Sequence, residues 1–409
     1  MTPGNELEPH RGRMSRNVHG GVRVSNRSKA NCINHRGHRG HRDPQEIREA
    51  SNIWFPVSSV SPVVHLLLRE GMAPNQRFGP LAAPMGSGQA WRLRLCMGVG
   101  SPHPRFDMTA APLPTIAVTG ATGLIGRALV ARLRAKGHAV RRLVRSTREA
   151  EPGDVSWNPE TGTLDPAALA GCDAIIHLAG APVAQRWTAS HKRDIRESRV
   201  RGTALLAKVV AGMAVKPRVV LSGSAIGFYG DRGDELLDER SSAGIGFLAE
   251  VGKAWEAAAD PIAQAGVRLV LLRTGVVLSP DGGALEKMLP PFRLGVGGPM
   301  GSGRQWISWI SLDDHLRAME HALDTEAVRG AVNLVSPNPV TNATFATTLG
   351  RVLRRPALIP LPAIALELMF GEMAEATILA GQRVAPHALT AAGFQCAEPT
   401  LEGALRSML

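Results

Sequence analysis

Three glycines, Gly120, Gly123 and Gly126, stand in TGATGLIG, directly after the apolar run TIAVT and before the amphipathic stretch RALVARLRAKG. Glycines spaced this way between a strand and a helix suit one chemistry in particular, the cradling of a pyrophosphate. The turn needs a residue tolerant of positive φ, the backbone must come close to the phosphates, and the helix must pack on the strand. The helix N-terminus then adds free N–H groups and a favourable dipole. The spacing alone would also serve a tight turn, and it is the strand–turn–helix setting that selects the dinucleotide reading.

Gly120, Thr122, Gly123, Leu124, Ile125 and Gly126 are therefore candidate cofactor contacts. The second strand, HAVRRLVRS, ends on Arg145, followed by Ser146 and Thr147, with no acid beside it. An acid there would bond the ribose 2′-hydroxyl of NAD, whereas arginine matches the 2′-phosphate of NADP. NADP(H) is thus favoured over NAD(H), with Arg145 as the discriminating side chain. The plainer alternative is a solvated loop arginine.

The elements that must position these residues follow along the chain. DAIIHLAG, RESRVRGTALLAKVVAGM, RVVLSGSAIG, LAEVGKAWEAAADPIAQAG and VRLVLLRTGVVL alternate strand and helix patterns. That alternation predicts an α/β, Rossmann-type doubly wound parallel sheet over residues 114–340. Residues 341–409, mostly helical with proline breaks, predict a smaller C-terminal substrate region. Residues 1–107 show neither period, so a disordered or non-native extension is expected before Met108. Within it Cys32, His35, His38 and His41 recur every third residue, which is not a usual zinc spacing, and no metal is expected.

Composition narrows the function classes. Fifteen Arg or Lys face seven Asp or Glu in residues 1–107, so that segment carries +8 of the net +12. The remainder is too weakly positive to call for a polyanion, and no nucleic-acid partner is expected. No apolar run approaches the ~18 residues of a membrane span, and no secretory pattern opens the chain. Cys32, Cys96, Cys172 and Cys396 lack paired spacing, which points to a reducing, cytoplasmic setting. Nothing fixes the oligomeric state.

TGATGLIG, HLAG, SGSAIGFYG, LRTGVVLS and GSGRQWISWISLDD resemble the extended short-chain dehydrogenase/reductases. More closely, the run from about 114 to 405 resembles the NAD(P)-binding epimerase-family oxidoreductases that end in a domain of unknown function. RPALIPLPAIALELMFGEM and GQRVAPHALTAAGF are the most specific part of that likeness. The resemblance implies a small-molecule substrate of unassigned identity. It also implies that Leu178, Ala179 and Gly180 of HLAG border the cofactor.

The chemistry departs from that family's relay, in which a tyrosine acts as acid/base and a lysine four residues on lowers its pKa. Ser224 takes the serine position, but Leu248 and Gly252 stand where the tyrosine and lysine belong. Lys253 is one position late, about 100° around a helix. The sole tyrosine, Tyr229, has Gly233 four residues on, and Arg199 replaces an asparagine. Ser224 and Tyr229 are the candidate catalytic groups, with Asp231 and Lys253 behind them.

Where nucleotide-sugar enzymes of this group carry an Arg-Asp pair, the sequence reads Ile307 and Ser308, with Arg304 and Arg273 out of register. Trp306 and Trp309 could floor a ring-shaped ligand or fill the core, and Asp314 is expected to cap a helix. Two functions follow: an NADP(H)-binding oxidoreductase without the usual relay, or an inactive cofactor-binding regulatory or scaffold protein, for which the resemblance implies a link to cell division.

Overall fold

The computed structural model describes residues 113–145 and 150–409. The extension 1–107, with its Cys/His tract, and Ser146–Thr147 lie outside the described residues. The chain opens with β1 (Thr115–Thr119), α1 (Leu124–Ala135), β2 (Ala139–Val144), β3 (Val155–Asn158), β4 (Thr163–Leu164), β5 (Ala174–His177), α2 (Ala189–Gly212) and β6 (Val219–Ala225). It continues through β7 (Leu236–Leu237), α3 (Phe247–Ala257), α4 (Asp260–Gln264), β8 (Arg268–Thr274), β9 (Val276–Ser279) and α5 (Gly283–Arg293). Then come β10 (Trp306–Ile307), β11 (Trp309–Ser311), α6 (Leu312–Asp324), β12 (Gly330–Leu334), β13 (Val340–Thr341) and α7 (Asn342–Leu353). The last elements are α8 (Ala363–Phe370), β14 (Arg383–Val384), α9 (His387–Ala391) and α10 (Leu401–Met408).

The main sheet runs β12-β8-β6-β5-β1-β2-β3-β4, parallel throughout except for the β3–β4 pair at one edge. Strands buried on both faces read as unbroken apolar runs rather than alternating ones, and all four residues of β5 are buried. On one face Ile116, Val118 and Ile176 pack with Leu129 and Leu133 of α1 and Met319 of α6. On the other, Ala117 and Ile175 pack with Leu206 and Val210 of α2. The predicted α/β doubly wound sheet is present. Strand order reverses between β1 and β5, where an open parallel sheet leaves a crevice at its carboxyl ends.

A second core forms from two separated stretches. Leu278, Leu285, Leu289, Phe292 and Trp309 pack with Phe345, Leu349, Leu401 and Leu405. Trp309 is fully buried there, so it fills the core and floors no ligand. The expected cap on α6 is shifted by three residues: Ser311 Oγ accepts from Asp314 N at 3.1 Å. Asp314 instead ties down the C-terminal segment, its carboxylate accepting from Ala397 N at 2.8 Å and Glu398 N at 3.0 Å. No described helix is long and apolar enough to cross a membrane.

Candidate cofactor and substrate site

At the strand-order reversal lies a cavity of about 460 Å³, bordered by Gly120–Gly123, Leu143–Arg145, Trp157, Glu160, Leu178–Gly180 and Ser198. Of the residues expected to hold a cofactor, Gly120, Thr122, Gly123, Arg145, Leu178, Ala179 and Gly180 line it. Leu124, Ile125 and Gly126 form the first turn of α1 just behind. That helix has no side-chain cap at Gly123 and no acidic residue in its first turn. Its N-terminal dipole and first N–H groups are left for an anion.

The glycines are fixed by space. Gly120 has φ +67°, and a Cβ on it would lie 2.8 Å from the Leu178 carbonyl carbon. A Cβ on Gly126 would lie 2.1 Å from the Gly120 oxygen, so the helix could not seat against the turn. Around Gly123 the nearest atom to such a Cβ is 3.4 Å away, which leaves that side open. Backbone cannot yield as a side-chain tip can, and Gly126→Ala is expected to destabilise by about 1–3 kcal/mol. A thermal melt checks this, and an unchanged Tm would show that the turn gives way.

The wall opposite the glycines is held by a buried polar chain. Thr119 Oγ1 accepts from Leu178 N at 3.1 Å and Ala179 N at 3.2 Å. With both lone-pair directions taken, its hydroxyl donates to His177 Nδ1 at 2.7 Å. His177 is then the Nε2–H tautomer, donating to Thr203 Oγ1 at 3.0 Å, which also accepts from Trp255 Nε1 at 3.0 Å. Burial pushes the His177 pKa down to about 4, so the ring is neutral at pH 7. Sequence reasoning missed His177, Thr119 and Thr203; the sole signal was a histidine inside an otherwise apolar strand.

Ser224 on β6, Arg273 on β8 and Asn333 on β12 stand in cross-strand register. Ser224 Oγ donates to Glu256 Oε1 at 2.6 Å. Arg273 forks onto the same carboxylate, Nε to Oε1 and Nη2 to Oε2, both at 2.8 Å. Its Nη1 donates to Tyr229 Oη at 3.0 Å, and Tyr229 Oη donates to Asn333 Oδ1 at 2.7 Å. Burial works against the Arg273 charge, but its bonds to Glu256 and Tyr229 outweigh that and raise its pKa. Burial pushes the Tyr229 phenol up despite Arg273 beside it. The structure thus joins Ser224 and Tyr229 through Glu256 and Arg273, and neither residue lines the cavity beside the glycine turn.

The relay positions are filled otherwise. Leu248 packs on Gly227, and a Cβ on Gly252 would meet the Phe228 Cα at 3.2 Å, so a side chain there would require Phe228 to shift by a few tenths of an ångström. α3 runs unbroken from Phe247 to Ala257, and Lys253 is exposed on it. Asp231 Oδ1 accepts from Gly233 N at 3.2 Å and Gly381 N at 3.4 Å, tying two loops together. Ser308 Oγ donates to Gln382 O at 2.6 Å and accepts from Val384 N at 2.9 Å, which docks β14. Trp306 stacks under Arg383 with its Nε1 donating to Asp234 Oδ1 at 2.7 Å.

Residues 116–334 match the NAD dependent epimerase/dehydratase family, and residues 361–408 match a domain of unknown function, DUF1731. An epimerase family protein of Mycobacterium tuberculosis is 46% identical over 291 residues, covering 71% of this chain and 96% of that protein. The crystal structure of human epimerase family protein SDR39U1 with NADPH is 36% identical, with a TM-score of 0.66 over 72% of this chain and 98% of that one. A nucleoside-diphosphate sugar epimerase structure from Corynebacterium glutamicum is 39% identical, with a TM-score of 0.60, covering 73% of this chain and 59% of that one.

Proposed function

Because the chain belongs to the NAD-dependent epimerase/dehydratase family, we propose that it is an oxidoreductase of that family that binds NADP(H) and acts on a small-molecule substrate. The observation that carries this reading is the glycine-walled cavity at the strand-order reversal, with Arg145 on its β2 side. The relative from human, similar over nearly its whole length, has a structure described with NADPH, which supports the same cofactor here.

Gly120–Gly123 and the uncapped start of α1 would hold the pyrophosphate, and Arg145 the 2′-phosphate. Bound there, the nicotinamide would supply or accept hydride. Thr119 and His177 keep the Leu178–Gly180 wall in place. Ser224 and Tyr229 serve as positioning residues in this reading, since their hydroxyls hold the end of β6 through Glu256 and Arg273. A nucleotide sugar is disfavoured: Ile307 and Ser308 offer no clamp for a diphosphate, and the Ser308 hydroxyl is engaged with β14.

Arg145→Ala is expected to weaken NADPH by about 1.5–3 kcal/mol, the range for a lost hydrogen bond to a charged group. NADH, with no 2′-phosphate, should change little. Titration of both cofactors against both proteins checks this. Equal weakening of the two would remove Arg145 from cofactor selection.

A further inference from the structure

The segment after α7 leaves an apolar face uncovered. Leu294 after α5, Leu358 and Ile359 before α8, and Ile364, Leu368 and Met369 on α8 are each between 53% and 83% exposed. They lie together. Gly295 sits against Pro356, where a Cβ on it would stand 3.5 Å from the proline Cγ. Ile359 N donates to Gly297 O at 3.3 Å and Leu361 N to Pro299 O at 2.9 Å, so the two stretches run side by side. Ile364 and Leu368, one turn apart, share the outer face of α8. The other face is already used: Leu366 is buried, and Phe370 packs against Trp187, Val251 and Met373. Arg186 Nη1 donates to Leu368 O at 2.8 Å and Lys192 Nζ to Glu372 Oε1 at 2.6 Å. The helix is thus held from beneath, with its outer side chains already presented.

These six side chains expose on the order of 800 Å², more than the ~300–600 Å² of a monomer's usual largest patch and close to the ~800 Å² that each partner brings to a stable interface. Charge is arranged so that the patch matches itself. Arg354 and Arg355 are exposed at one end of the segment, with no carboxylate partner among the described residues. Glu367 is exposed on α8, toward the other end. Turned about a two-fold axis through its middle, the patch sets the arginines of each copy against Glu367 of the other, as an isologous contact requires. A lipid surface fits less well, since it would press Glu367 into the acyl boundary beside Ile364 and Leu368. We propose that this face binds a second copy of the chain, forming a two-fold dimer through α8 and the stretch before it. The apolar side chains make the contact, and the Arg355–Glu367 pairs set its register. None of this depends on the cofactor reading.

Analytical ultracentrifugation of the full chain from about 1 to 100 μM reads the association directly. Wild type should dimerise within that range. Leu368→Glu, which sets an unpaired carboxylate inside the contact, should weaken dimerisation about a hundredfold while circular dichroism shows the fold unchanged. Glu367→Arg and Arg355→Glu should each weaken self-association about tenfold, because each puts like charges together twice across the axis. An equimolar mixture of those two variants should associate within about threefold of wild type, since each copy then meets its complement. Wild type that stays monomeric, or a dimer indifferent to Leu368→Glu, overturns the proposal. So does a mixture that associates no better than its components. A monomer that sediments with phosphatidylcholine–phosphatidylserine vesicles and loses them in Leu368→Glu would give the face to a lipid surface. A monomer whose α8 crosslinks to its own residues 1–112 would give it to that segment. Either result also overturns the dimer.

Discussion

Glu256→Ala is expected to lower the unfolding free energy by about 3–5 kcal/mol, the range for stripping one partner from a buried ion pair. Both side chains are enclosed, Arg273 6% and Glu256 11% exposed, so water cannot take over the missing carboxylate. Ser224 would lose its acceptor in the same step, and Arg273 would keep only Tyr229 and the Glu239 carbonyl. Tyr229→Phe, which removes one hydroxyl and leaves the ion pair, should cost nearer 1 kcal/mol. The double variant Glu256→Ala, Arg273→Met should recover much of the loss, since no buried charge is left unpaired. Urea unfolding of wild type and the three variants measures this. A loss below about 1 kcal/mol for Glu256→Ala would mean that the pair is solvated and that the β6 end is held by packing alone.

That network also marks how far the residues could be read along the chain. The glycine turn was legible because everything that gives it meaning, strand, turn and helix, is contiguous from Thr115 to Ala135. Arg145 was legible for the same reason, one strand further on. Ser224 at the end of β6 and Tyr229 in the turn just after it were visible as polar residues, but their partners were not. Glu256 is 32 residues from Ser224, and Asn333 is 104 from Tyr229. They meet only because β6, β8 and β12 lie side by side, an order that no local period encodes. The small core likewise joins residues 278–309 to residues 345–405, so a boundary drawn where the helical pattern begins places only half of it.

The second large effect is acid destabilisation between pH 6.5 and about 4. His177 and His315 are both fully enclosed, and burial draws each imidazole down from 6.5 to about 4. His177 has its partners in Thr119 and Thr203, whereas His315 reaches Thr274 Oγ1 at 3.2 Å and leaves Nδ1 unbonded. Below pH 6.5 the unfolded chain takes up two protons that the folded chain refuses until about pH 4. Stability is therefore full above 6.5 and falls through that window, by roughly 3 kcal/mol for each ring. Asp154, whose carboxyl the Arg142 bond holds below the usual range, loses its contribution mainly at the acid end of that window and below it. Two such terms are a large part of the ~5–15 kcal/mol that holds a domain folded.

His177→Gln should halve the number of protons taken up on unfolding near pH 5, whatever the substitution itself costs. Protonating His177 would also remove the acceptor that Thr119 donates to, and Thr119 positions the Leu178 and Ala179 amides on the cavity wall. NADPH affinity should then weaken in wild type over the same interval and stay flatter in His177→Gln. Unfolding free energy and NADPH Kd, each measured at pH 7, 5.5 and 4.5 for both proteins, decide the matter. A wild-type stability that is level from pH 7 to 4.5 would mean that water reaches both rings, and the buried Thr119–His177–Thr203 chain would no longer explain how that wall is held.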